Sequence, residues 1–103
     1  MMPNPFNADN GALQIIEHID RCGGEYSDWF ISMSADPDYA LFVYHMIDKQ
    51  DGQYVYLRMN TYHEARFLIE HLVNVYRMKS GPVFGDADAL YVYAYKMGHA
   101  SRQ

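Results

Sequence analysis

The stretch from Tyr54 to Tyr76, YVYLRMNTYHEARFLIEHLVNVY, constrains the fold more than any other, because it reads as a strand feeding directly into a helix. Thr61 followed three residues later by Glu64 is a capping box, which places the helix start at Thr61. Beyond it Ala65, Leu68, Ile69, Leu72, Val73 and Tyr76 recur at helical spacing and make one apolar stripe. At about 100° per residue, His63, Arg66, Glu70, Asn74 and Arg77 gather on another side. The helix therefore has one face to bury and one polar ladder to show.

The rest of the chain supplies what that face packs on. Residues 1–8 read as an arm. Asp9 or Asn10 can cap a helix whose stripe is Ala12, Ile15, Ile16, Ile19 and Cys22, with His18 off the stripe and solvated. Gly23-Gly24 ends that helix, since glycine reaches positive φ without steric cost. Trp29, Ile31 and Met33 alternate with Phe30, Ser32 and Ser34, the period of a half-buried strand over Trp29–Ser34. Asp36 as cap and Pro37 at the first helical position open a short helix that carries Leu41, Phe42 and Tyr44 and closes near His45. Asp51-Gly52 turns the chain into the strand Tyr54–Met59. After the long helix Ser80-Gly81-Pro82 breaks the chain, and a last strand spans Leu90–Lys96, one side of it entirely tyrosine. The tail, 98–103, should fray.

These elements predict one α+β domain over residues 1–103: a small, mainly antiparallel three-stranded sheet flanked by about three helices, with the C-terminal strand at an edge. Its expected core is Ile16, Ile19, Trp29, Ile31, Leu41, Val55, Leu57, Leu68, Ile69, Leu72, Val92 and Ala94.

Composition narrows the partners. Half of the residues are hydrophobic and one fifth charged, so the chain can fold around a core. The net charge is −5, and the eight Lys and Arg form no cluster, which argues against nucleic acid as a direct ligand. The same charge suits a protein partner with a basic surface. Ten tyrosines are many for this length, and they either wall a thin core or form a contact surface. The single Cys22 permits no intrachain disulfide and points to a reducing, cytoplasmic setting. No apolar run approaches a membrane span, and oligomeric state is left open by the sequence.

The candidate binding residues are the tyrosines of the two later strands, Tyr54, Tyr56, Tyr91, Tyr93 and Tyr95, with the loop carboxylates Asp86 and Asp88. The tyrosine face either lies under a helix or makes an aromatic strip. Asp86 and Asp88 are either an acidic contact or solvated turn residues. His63 and His71 fall on different sides of their helix and cannot chelate a metal as an i,i+4 pair would.

Two segments, WFISMSADPDYALFVYH and VYLRMNTYHEARFLIEHLV, together with Val92-Tyr93-Ala94-Tyr95-Lys96, resemble the core of the GIY-YIG nuclease superfamily over about residues 24 to 96. The resemblance sets Phe30-Ile31-Ser32 on the Tyr-Ile-Gly half-motif, Ser34 on the Thr/Ser after it, His45 on the histidine after the helix, and Glu70 on the single metal-binding glutamate. It implies magnesium at Glu70, and His45 as a base or phosphate contact. Read from the residues alone, Glu70 is more simply a surface carboxylate paired with Arg66, and His45 a helix C-cap. The arginine position holds Tyr39 or Ala40, the tyrosine is Phe30 and the glycine is Ser32, so phosphate clamp and phenol are missing. The expectation is therefore a non-catalytic, cofactor-free, acidic and tyrosine-rich protein-binding module. An inhibitor of host nucleic-acid machinery, such as phages and mobile elements encode, is of this kind. The alternative is a weak magnesium-dependent endonuclease that keeps His45 and Glu70.

Overall fold

The computed structural model describes residues 6–50, 52–81 and 89–98. Helix α1 spans Ala8–Cys22 and strand β1 Trp29–Ser34, joined through a short 3-10 turn at Tyr26–Asp28. A single π-type turn, Tyr39–Tyr44, leads to β2, Tyr54–Arg58. Helix α2 covers Tyr62–Tyr76, followed by the two-residue strand β3, Lys79–Ser80, and by β4, Tyr91–Lys96.

The sheet has four strands in the order β2-β4-β1-β3 and is mixed: β4 runs antiparallel to both neighbours, while β3 runs parallel to β1. Two expectations are corrected here. The sheet is not three-stranded, because the residues just after α2 pair with Phe30 and Ile31. The C-terminal strand is not at the edge but in the middle. Its tyrosine side left open whether it meets a covering element or solvent; all of Val92, Tyr93, Ala94 and Tyr95 are buried, as a strand covered on both faces must be.

Registers sort the side chains into two faces. Ile31, Ala94 and Val55 form one rung, and Met33, Val92 and Leu57 the next. Both helices cover this face, and Ile15, Ile19, Leu68 and Leu72 complete the core with Trp29 and Ile31. Of the expected core, Ile19, Trp29, Ile31, Leu41, Leu68, Leu72, Val92 and Ala94 are buried, while Ile16, Val55, Leu57 and Ile69 lie half-buried around them. The other face carries Phe30, Tyr95 and Tyr54 in one rung, Ser32, Tyr93 and Tyr56 in the next, and Ser34, Tyr91 and Arg58 in the third.

Local capping explains the helix ends. Thr61 caps α2 by accepting from the Glu64 amide at 3.1 Å. The Glu64 carboxylate accepts the Ala8 amide at 2.6 Å, so it joins α2 to the first turn of α1. Asn7, rather than Asp9 or Asn10, caps α1, with its side chain accepting from the Asn10 amide. The end of the expected arm is also held, because Phe6 bridges to Met59. His18 is half-buried instead of solvated.

Candidate functional site

The tyrosine face of the sheet is roofed by the segment between β1 and β2. Asp36 opens it as expected, accepting the Tyr39 amide at 3.1 Å. The expected short helix then widens into the π turn: the His45 amide reaches back to the Ala40 carbonyl, and the Ile47 amide to that of Leu41. This widening turns Ala40, Leu41, His45 and Ile47 down onto the sheet, where the apolar members meet Phe30, Tyr93 and Tyr95. The turn ends at Met46, which holds a left-handed φ of 60°, uncommon for a residue with a side chain.

His45 closes the turn, but its ring does not cap carbonyls. It is buried between two phenols, Nε2 lying 2.8 Å from the Tyr93 hydroxyl and Nδ1 3.0 Å from that of Tyr95. Phe30 packs against both His45 and Tyr95, stacked on the latter at 5.2 Å. Burial pushes both phenols well above the ordinary tyrosine range; for Tyr93 a hydrogen bond from Ser32 opposes this in part, and for Tyr95 the neighbouring Tyr93 and Tyr44 add to it. Both therefore stay neutral hydroxyls at physiological pH. A histidine and two phenols at hydrogen-bonding distance have the makings of acid–base chemistry. With all three at 0–1 % exposure, they lock the roof to the central strand instead.

What this face shows to solvent is the outside of the roof and the β2 margin. Tyr39, Val43, Met46 and Tyr56 stand 53 %, 59 %, 58 % and 41 % exposed. Tyr54 is half-buried against Phe42, and Tyr91 is half-buried beside Tyr56. The Tyr56 phenol is pushed up by partial burial first, then by the charge of Asp38 and by Tyr54 and Tyr91. Asp38 thus sits close to the exposed aromatic margin, and Asp36 is exposed two residues earlier. The five candidate tyrosines therefore divide. Tyr93 and Tyr95 are core, whereas Tyr54, Tyr56 and Tyr91 border the surface. Asp86 and Asp88 lie outside the described residues. Sequence reading missed Tyr39, Val43 and Met46, because it named only Leu41, Phe42 and Tyr44 on the short helix; all three stand exposed on the wider turn and its end.

Glu70 lies on α2, over the opposite face of the sheet, exposed and 3.7 Å from Arg66. It shares with Met33, Ile69 and Ser80 a small open depression of about 170 Å³. The structure does not bring it to His45. Among the described residues no three His, Cys, Asp or Glu side chains converge where they could hold a metal ion. A second, more apolar groove of about 470 Å³ runs between α1 and α2, bordered by Leu13, Ile16, Phe67, His71 and Tyr76. Among the described residues no helix is long and apolar enough to cross a membrane.

Comparison of the chain with protein-family models, with curated proteins and with solved structures returned no match.

Proposed function

We propose that this protein is a non-catalytic binding module on a degenerate GIY-YIG-like scaffold, and that it docks a basic protein surface through the roof over its tyrosine face. One observation carries the reading: Tyr39, Val43, Met46 and Tyr56 are large apolar or aromatic side chains left open to solvent beside Asp36 and Asp38. Such a mixture of aromatic contact area and exposed acidity is what a partner with basic residues around an apolar centre would complement. The buried His45 contacts support it further, because a roof pinned from beneath loses little entropy when it binds. A strained Met46 at the end of a π turn also fits, since both features recur at functional sites. Phage or mobile-element inhibitors of host nucleic-acid machinery are one class with this chemistry.

The nuclease alternative draws no support from the placement of its residual groups. Glu70 and His45 lie on opposite faces, and the buried imidazole offers no path to a phosphate.

The test is affinity capture from the native host, followed by variants. A partner held by the wild type should be released by salt, and lost with Asp36→Lys/Asp38→Lys or Val43→Asp, but retained by Glu70→Ala. Purified protein should not nick plasmid DNA with magnesium or manganese. Nicking that disappears on Glu70→Ala would overturn the reading.

A further inference from the structure

We propose that the outer face of the two helices binds a second copy of this chain, across a two-fold axis that sets α1 of one copy on α2 of the other. The large apolar side chains left open to solvent among the described residues fall into two groups. Four belong to the roof and the β2 margin. The other three, Leu13, Phe67 and Val75, stand 59 %, 62 % and 60 % exposed on the helices, on the opposite side of the sheet. This second group is continuous. Phe67 borders three hollows: about 440 Å³ at the first turns of the helices, about 470 Å³ between them and about 240 Å³ along α2. Leu13 shares the middle hollow and Val75 the last. An apolar face of this kind marks an interaction site, and its ridges and hollows are the relief that helix-on-helix packing uses.

The two helices run side by side in one direction. The Ala8 amide meets the Glu64 carboxylate, and a side-chain carbon at Gly11 would lie 2.6 Å from Leu68 Cδ1. A two-fold axis along their seam keeps each residue at its height while it carries α1 over the α2 of the second copy. Leu13, two residues beyond Gly11, then comes level with Glu70. It enters the hollow of the second copy that Phe67, Glu70, His71 and Asn74 surround. Those positions, i, i+3, i+4 and i+7, are the four-residue hole that a knob fills between packed helices. Symmetry makes the contact twice.

Charge fits the same arrangement. The exposed charges of α1 are Asp9, Glu17 and Asp20, with Arg21 at its end. On and just after α2 the exposed basic groups are His63, Arg66, His71 and Arg77, while the exposed Glu70 is already paired with Arg66. In this register Asp9 comes level with Arg66, and Glu17 with Asn74 between His71 and Arg77. Acid meets base on both sides of the leucine contact, whereas α1 on α1 would set acid against acid. Two 15-residue helices, about 22 Å long and about 9 Å apart, make a face of roughly 450 Å² in projection. Side-chain relief carries its accessible area toward the about 800 Å² per partner of a standard interface, which suits a dimer that forms at micromolar concentration.

Sedimentation equilibrium of the full chain, from about 1 µM to about 0.5 mM, tests this. The mass should rise from 12.0 kDa to twice that value across the range. Leu13→Glu and Phe67→Glu should each stay monomeric with unchanged circular dichroism, because both side chains are exposed in the single chain. Asp9→Lys/Glu17→Lys should weaken association at least about tenfold. A wild type that stays at 12.0 kDa throughout overturns the proposal and leaves the face to a different partner. A dimer that survives Leu13→Glu overturns it as well, whether or not Phe67→Glu folds. Association that Asp9→Lys/Glu17→Lys leaves intact overturns the placing of α1 on α2.

Discussion

The Nε2 of His45 lies 2.8 Å from the hydroxyl of Tyr93, and neither residue is open to solvent. A neutral imidazole has one donor and one acceptor, and the Tyr95 hydroxyl faces the second nitrogen at 3.0 Å. One phenol must therefore donate to the ring and the other accept from it. The roof that bears the proposed binding residues is held down by this pair of contacts.

Tyr93→Phe should accordingly destabilise the protein by about 1–3 kcal/mol, because it strips a partner from a ring nitrogen that water cannot reach. Tyr54→Phe should cost within about 0.5 kcal/mol, since its hydroxyl donates to the Lys49 carbonyl at the surface. Urea denaturation of the two variants measures the contrast; equal losses would show that the buried contact contributes nothing particular.

Alkali should unfold the protein. The Tyr93 and Tyr95 phenols are raised in the folded state above the ordinary value near 10. Their contribution to stability is whole below about pH 10. It is lost as pH rises through the folded-state values, because the unfolded phenols ionise first. Denaturation midpoints between pH 8 and 11 should hold level and then fall, with Tyr93 and Tyr95 among the tyrosines that ionise late in ultraviolet titration. A fall that begins at pH 8 would contradict this.

Glu64→Ala should cost about 1–2 kcal/mol. The carboxylate accepts the Ala8 amide at 2.6 Å, serving as a cap for α1 supplied by α2. Glu64→Gln keeps an acceptor and should recover about half of the loss, as thermal unfolding would report.

Arg77→Gly should stabilise. Arg77 ends α2 at a φ of 63°, and its amide reaches the Leu72 carbonyl. Glycine holds that left-handed conformation without the steric penalty, for a gain of about 0.5–1 kcal/mol and a rise in Tm. A lower Tm would mean that the arginine side chain contributes more than its backbone costs.

Local signals carried most of the fold. Thr61 placed α2 to the residue because its cap is a contact between near neighbours, and the apolar stripe at Leu68 and Leu72 found the buried side. Strand Trp29–Ser34 was legible from alternation, but not its burial: the side expected to meet water, Phe30, Ser32 and Ser34, is buried too. What escaped were decisions made between distant residues. Lys79 and Ser80 carry no strand pattern, and they pair only because β1 offers an edge there. The tyrosines of β4 are amphipathic, so alternation could not say whether they meet water or a roof. That answer lies in the π turn and in His45, about 50 positions away, whose ring satisfies both hydroxyls.

The middle place of β4 has a consequence for how the molecule is made. Strands β1 and β2 are neighbours along the chain but share no ladder; each hydrogen-bonds to β4. As the polypeptide leaves the ribosome, β1 has only the two residues of β3 to pair with, and β2 waits for its ladder until Lys96 has emerged. Helices α1 and α2 can pair early, with their apolar sides waiting for a surface to settle on. Assembly then depends on closing long loops, a slow route that exposes unpaired strand edges meanwhile. Shortening the chain before Tyr91 would not trim this protein; it would remove the piece that lets the other strands become a sheet.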